Sequence, residues 1–84
     1  MAELTSLRNI GKGIEKRLKS VDIHTAEELM KVGSKEAFIR LKLHDPAVCA
    51  VYLYTLEGAI SDIEYNQLPE AVKQDLKEFS DRLK

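Results

Sequence analysis

Two glycines flank a lysine at Gly11-Lys12-Gly13, and the segment that follows them is rich in basic residues. Glycine has no Cβ and adopts positive φ without steric cost, so the backbone amides around such a pair are able to point outward together. These amides are expected to lie at the N-terminus of a helix, where the helix dipole adds roughly half a positive charge. The pattern is therefore suited to binding one phosphate group.

An apolar residue followed by Gly-x-Gly and then a helix is typical of a helix-hairpin-helix turn. Lys12 is predicted at the tip of this turn, while Lys16 and Arg17 lie one turn along the helix and are expected to reach neighbouring phosphates. Such a site contacts the nucleic-acid backbone and not the bases, so binding is expected to be weak, sequence-independent and sensitive to salt. The predicted DNA phosphate-binding residues are Gly11, Lys12, Gly13, Ile14, Lys16 and Arg17.

A second interpretation of the same residues is that Gly11 and Gly13 only turn the corner between two helices. The domain would then be a protein-docking adaptor, and its acidic second half would suit a basic partner surface. The sequence leaves open nucleic acid and a transcription-related protein as partners. A homodimer is also open, because it would bring two hairpins together and raise the apparent affinity for DNA.

The residues that could support catalysis are few and scattered. His24 and His44 are most simply surface residues, and Cys49 is predicted to lie one turn into an apolar helix, where a thiol is usually inert packing. One cysteine and two histidines cannot complete a four-ligand zinc site without carboxylates. We therefore expect no enzyme activity, no structural metal and no cofactor.

All clear periodicity in the chain is helical, which predicts an all-α bundle of five to six short helices in a single domain, residues 1–84. Thr25 and Glu28 form a capping-box pattern, Gly33 ends the helix that they open, and Ser34 is expected to cap the next. The expected helices span Glu3 to Arg8, Gly13 or Ile14 to Ser20, Ala26 to Val32, Lys35 to Leu43, Pro46 to Ser61 or Asp62, and Pro69 to the C-terminus.

One proline and one glycine carry further expectations about this bundle. Asp45-Pro46 is a strong start signal for the fifth helix, whose run from Ala47 to Leu56 is apolar nearly all round, as a central helix is. Gly58 interrupts that helix and suggests a close approach of another helix.

The apolar run from Ala47 to Leu56 is too short for a membrane-spanning helix, and the N-terminus lacks the basic start of a signal peptide. A cytoplasmic location and no membrane partner are therefore expected.

The net charge of −1 conceals an asymmetry between the two halves of the chain. Residues 1–42 carry nine Lys/Arg against six Asp/Glu, while residues 43–84 carry four against eight. From Arg8 to Lys19 the balance is five basic residues to one acidic. The sequence therefore predicts a local positive face near the glycine pair, although a charge cluster of this size is often only a solvated helix face.

Two motifs resemble the TfoX (Sxy) C-terminal domain family: "LRNIG" (residues 7–11) and "LYTLEGAI" (residues 53–60). The same resemblance extends to residues between and after these motifs, namely Leu18, Ile23, Thr25 and Leu68-Pro69. The resemblance covers about residues 5–78. It implies an all-helical, non-enzymatic domain that opens with a hairpin-like segment, found in regulators of bacterial competence that control the transcription of DNA-uptake genes alongside the cAMP receptor protein.

Three features of the chain set it apart within that family. Nothing in it corresponds to the N-terminal α/β domain of full-length TfoX-like regulators, so a free-standing copy of one half is expected. Asp22 stands where the family generally has glycine, and aspartate tolerates the left-handed backbone far better than a β-branched residue. Gly13 brings the segment closer to the helix-hairpin-helix consensus than relatives that have only the first glycine.

Overall fold

The computed structural model of the chain describes residues 2–83. Within this range the fold is all-helical, as predicted, and the only β-type pairing is a single bridge between Glu3 and Thr25. No helix in these residues is long and apolar enough to cross a membrane. The α-helices are α1 (Lys12–Lys19), α2 (Ala26–Val32), α3 (Ser34–His44), α4 (Ala50–Ser61) and α5 (Glu70–Arg82), and two 3₁₀ turns lie at Leu4–Ser6 and Tyr65–Gln67.

Helix α2 begins and ends where its residues predict. The Thr25 hydroxyl accepts a hydrogen bond from the amide of Glu28 at 3.1 Å, which satisfies one of the free amides of the first turn. Gly33 ends the helix with φ +88° and ψ 159°, a conformation that is essentially restricted to glycine. Asp22 adopts a left-handed conformation with φ +65°, as its correspondence with a family glycine implies.

Helix α4 is the centre of the molecule. It packs against α3, against α5 and against the 3₁₀ turn at Tyr65–Gln67, which confirms the prediction from its apolar run. Its buried apolar side chains are Leu53, Leu56 and Ala59. Around them lies one core formed by Leu4, Ile10, Leu18, Ile23, Leu29, Ala37, Phe38, Leu41, Val48, Leu68 and Leu76.

The first predicted helix is wrong in extent. Only Leu4–Ser6 is helical, as one 3₁₀ turn, and Leu7 is already extended with ψ 147°. The segment before it is held in an extended shape, because the carbonyl of Ala2 accepts from the amide of Ala26 at 3.0 Å beside the Glu3–Thr25 bridge. The glycine pair therefore follows a 3₁₀ turn and not an α-helix, and a full helix-hairpin-helix unit is not confirmed.

Two helix starts also differ from prediction. Ser34 is the first residue of α3 and not its cap, since its hydroxyl donates to Glu57 Oε1 at 2.7 Å. Helix α4 begins at Ala50 and not at Pro46. The intervening residues form a turn in which Asp45 Oδ1 accepts from the amide of Ala47 at 3.0 Å. This turn buries Val48, whose carbonyl accepts from Lys42 Nζ at 2.8 Å.

Candidate functional site

The corner before α1 is built by an asparagine and not by the glycines. Gly11 is the N-cap of α1 and is extended, with φ −95° and ψ −177°, while Gly13 lies inside the helix. The residue with positive φ is Asn9, at +71°. The expectation that the glycines supply left-handed conformations at this turn is therefore wrong. Asparagine is among the few other residues that tolerate this region, so the signal for the turn was present one residue before Ile10.

The corner is fixed to the far end of α4. Asn9 Nδ2 donates to the carbonyl of Ile63 at 3.1 Å, just beyond that helix. Gly58 makes this approach possible, because a Cβ there would lie 2.5 Å from Asn9 Nδ2 and 2.5 Å from the Ile63 oxygen. The close approach predicted at Gly58 is real, but it is made by the corner and by the loop after α4 rather than by another helix.

The backbone amides of Gly11, Lys12, Gly13 and Ile14 have no hydrogen-bond partner in the described part of the chain. The bonds at this corner are made by its neighbours: the amide of Ile10 donates to Leu7, and that of Glu15 donates to the Gly11 carbonyl. Residues 11–13 are exposed, whereas Ile14 is half-buried against the core. The start of this eight-residue helix therefore presents free donors to solvent.

Lys12 and Lys16 are exposed, and their side chains have no ion pair or hydrogen bond among residues 2–83. The other basic residues of the segment are engaged, which leaves a weaker positive face than their number suggests. Arg8 donates to Asp62 at 3.2 Å and to Glu64 at 3.0 Å. Lys19 lies 3.9 Å from Glu15.

Arg17 is held in place by α3 and α4. Its guanidinium donates to Asp45 Oδ2 at 2.9 Å and lies over the Tyr52 ring, 5.4 Å from the ring centroid. Arg17 and Asp45 are 28 positions apart, so no local sequence pattern predicted their ion pair. A shallow polar depression of about 520 Å³ beside it brings together Gly13, Lys16, Arg17, Ser20, His44 and Asp45.

The Asp45 carboxylate gives a pH-dependent test of this arrangement. The hydrogen bond from Arg17, and next the one from the Ala47 amide, lower the pKa of Asp45 below its ordinary value. A carboxyl group whose pKa is lower in the folded state stabilises the fold above its unfolded pKa of about 3.9, and loses this contribution as the pH falls through the folded value.

We therefore expect the stability difference between the wild type and Asp45→Asn to be largest near neutral pH and to vanish at strongly acidic pH. Melting temperatures from circular dichroism across that range measure it. Glu36→Gln is a matched control, since Glu36 pairs only with Arg40 on its own helix. An Asp45→Asn difference that does not depend on pH would contradict the Arg17–Asp45 pair.

The residues considered for catalysis do not come together in the structure. His24 is exposed, 3.6 Å from Asp22, and His44 is exposed at the end of α3. Cys49 is exposed at the N-cap of α4, so its predicted place among apolar neighbours inside a helix is wrong. No group of three or more His, Cys, Asp or Glu side chains in residues 2–83 is arranged to hold a metal ion.

The fold and this exposed, basic helix start define a small all-helical domain. The chain belongs to the TfoX C-terminal domain family, whose model matches residues 1–80. It is 35% identical over 80 residues to protein Sxy of Escherichia coli (strain K12), covering 95% of this chain and 38% of that protein.

Two crystal structures from Listeria monocytogenes have the same fold. An uncharacterised protein in a triclinic form is 48% identical with a TM-score of 0.94, covering 98% of this chain and 93% of the other. A protein of unknown function in a tetragonal form is 47% identical with a TM-score of 0.93, covering 96% of this chain and 99% of the other.

Proposed function

We propose that this domain contacts the phosphate backbone of DNA weakly and without sequence preference, as an accessory module in transcriptional regulation. The contact is made by the exposed start of α1, through the amides of residues 11–14 and the side chains of Lys12 and Lys16. This chain spans only 38% of the length of Sxy, so a role of the whole competence regulator is part of the proposal.

The observation that carries the proposal is that the fold gives Gly13 no role. A glycine inside a helix costs about 1 kcal/mol relative to alanine. Gly13 has no positive φ, and a Cβ placed on it would meet no atom within 4 Å. Gly58 contrasts with it, because its own neighbours fill the space of a side chain. An approach by a group from outside the molecule accounts for a glycine at position 13.

The charges at the start of α1 set the expected affinity for DNA. With Lys12 and Lys16 as the free cations and two phosphates neutralised, the logarithm of the affinity should fall with the logarithm of salt concentration with a slope of about −2. Nonspecific dissociation constants are typically about 10⁻⁴ to 10⁻⁶ M at physiological salt. Because phosphate contacts carry no sequence information directly, duplexes of different sequence should bind alike.

Gly13→Ala tests the proposal by separating stability from binding. We expect the free energy of unfolding to rise by about 0.5–1 kcal/mol, because alanine is the better helix former and meets no neighbour. We expect the affinity for a short fluorescent duplex at low salt to fall about tenfold, since the methyl group blocks one charge-assisted hydrogen bond. Chemical denaturation and fluorescence anisotropy measure the two effects. Unchanged affinity in a stabilised variant would favour the purely architectural corner.

The alternative function is protein docking, and a groove in the structure favours it. An open groove of about 740 Å³ lies between the α2–α3 junction, α4 and α5, with Val32, Ile39, Ile60, Val72 and Phe79 as its apolar lining. Its charged lining residues are Lys35, Glu36, Glu57 and Asp75. This net negative lining fits a partner helix with an apolar stripe flanked by basic residues.

Charge reversal at the groove distinguishes docking from DNA binding. Capture from a nuclease-treated bacterial lysate by the wild type, by Asp75→Lys and by Glu78→Lys provides the comparison, since Glu78 lies on the same helix outside the groove. Docking requires a protein retained by the wild type and by Glu78→Lys but lost with Asp75→Lys. Equal capture by all three proteins would remove the groove as the docking surface.

A further inference from the structure

A smaller cavity, of about 290 Å³, lies between the end of α3, the start of α4 and the end of α5. It is separate from the residues of the proposed DNA contact. Its size is near the lower limit of ligand sites in proteins, which restricts any occupant to a small molecule. The lining includes Lys42, Cys49, Ala50, Lys77, Ser80 and Asp81.

The start of α4 supplies unused hydrogen-bond donors to this cavity. Cys49 is the N-cap and makes no side-chain capping bond, and the first turn contains no acidic residue. The amide of Ala50, which lines the cavity, and that of Val51, the next residue of the helix, have no acceptor in the described part of the chain. Helix α4 has 12 residues, so its dipole adds a partial positive charge at this end.

Ser80 is an independent indication of a ligand. It is only 8% exposed, yet its hydroxyl has no hydrogen-bond partner in residues 2–83. The other two buried polar side chains are satisfied, Ser34 by Glu57 and Thr55 by the carbonyl of Val51. No fully buried polar side-chain atom in this range lacks a partner, so the Ser80 oxygen must reach the cavity surface. The Ser80 hydroxyl is therefore available to a ligand in the cavity.

The charges of the lining favour an anion. Lys77 has no ion pair in the structure, and Lys42 Nζ uses one of its three donors on the Val48 carbonyl. Asp81 is the single carboxylate in the lining, so the formal charge of the lining side chains is net positive. A ligand with several acceptor oxygens would satisfy the ammonium groups, the Ser80 hydroxyl and the helix amides together.

We propose that this cavity binds a phosphate group, either as inorganic phosphate or at the end of a small phosphate monoester. Lys42, Lys77, the Ser80 hydroxyl and the amides at the start of α4 hold its oxygens. The site does not depend on the DNA contact at α1. Two charge-assisted hydrogen bonds support a dissociation constant on the order of 1 mM for inorganic phosphate.

Cys49 provides the test, because it is the single cysteine of the chain and lines this cavity. Iodoacetamide alkylates its sulfur with loss of iodide, and mass spectrometry of the intact protein measures the rate. We expect inorganic phosphate to slow alkylation in a saturable way, with half of the effect on the order of 1 mM. Chloride at matched ionic strength should not do so. Glycerol phosphate in place of phosphate shows which of the two sources fits better.

Ser80→Ala and Lys77→Ala should each weaken this protection about tenfold, the effect of one charge-assisted hydrogen bond. Lys31→Ala is the control, since Lys31 is also exposed and unpaired but lies on α2 outside the cavity. Lys77 is an exposed side chain, so Lys77→Ala tests the proposal even where Ser80→Ala affects folding. Protection equal in phosphate and chloride, or equal in Lys77→Ala and Lys31→Ala, overturns the proposal. Gly13→Ala should leave the protection of Cys49 by phosphate unchanged. Failure of the phosphate-site proposal is therefore distinguishable from failure of the DNA-binding proposal.

Discussion

Replacing Gly58 by alanine should lower the free energy of unfolding by about 2–3 kcal/mol, a large share of the stability of a small domain. A Cβ at this position would lie 2.5 Å from the Ile63 carbonyl oxygen and 3.3 Å from the Tyr65 Cα. Two of the three neighbours are backbone atoms, which cannot rotate away, so the loop after α4 has to move. That movement also breaks the hydrogen bond between Asn9 Nδ2 and Ile63. Chemical denaturation with circular dichroism measures the loss.

Gly13→Ala is the matched control, because it makes the same chemical change inside another helix where no atom lies within 4 Å of the new Cβ. The two substitutions should therefore change stability in opposite directions. Asn9→Ala should also destabilise the protein, since it removes the bond to Ile63 and places alanine at φ +71°. A Gly58→Ala protein as stable as the wild type would show that the corner does not pack on α4 as described.

Reversing both free lysines at the start of α1, in Lys12→Glu/Lys16→Glu, should reduce the affinity for a short duplex on the order of 100-fold. The change replaces attraction to two phosphates by repulsion. Both side chains are exposed and have no partner, so the free energy of unfolding should change by less than about 0.5 kcal/mol. Fluorescence anisotropy at about 50 mM salt, repeated at about 200 mM, gives the affinity and its salt dependence.

Lys31→Glu/Lys73→Glu is the matched control, with an identical change in net charge at residues outside α1. It should retain most of the binding. Asp45→Asn should act in the opposite direction, since it frees Arg17 from its 2.9 Å ion pair while an amide oxygen still accepts from Ala47. Its salt slope should become steeper by about 1, as one more phosphate is neutralised.

The two double variants decide whether the effect is local. Equal losses of affinity in both would mean that net charge, and not the start of α1, controls binding. Absence of binding by the wild type at millimolar protein and low salt would end the DNA proposal and leave docking as the function.

The sequence predicted most of the helices because their signals are local. Thr25 caps the helix that its own next residues form, and Gly33 ends it in a conformation that other residues rarely adopt. The buried Phe38 and Leu41 follow from a spacing of three along one helix. The family resemblance was likewise evident from two short motifs, one just before α1 and one within α4.

The sequence-based predictions were wrong where a contact with a distant part of the chain outweighed a local sequence signal. Asp45-Pro46 has the composition of a helix start, but Asp45 is committed to a tight turn and to Arg17, and Lys42 holds the Val48 carbonyl in that turn. Cys49 is exposed as a consequence, because α4 begins one residue after it. Ser34 donates to Glu57, 23 residues away, instead of capping α3.

The candidate site shows the same division. Its residues and the sign of its charge were evident from the order Gly11-Lys12-Gly13 and from the basic helix, because amino-acid type and helical period are local properties. The number of free cations was decided by the tertiary structure, which neutralises Arg8 and Arg17 with carboxylates 28 to 56 residues away. The same holds for the role of each glycine. Whether a position is crowded, as at Gly58, or open, as at Gly13, depends on which segments fold against it. The neighbouring residues in the sequence do not predict this.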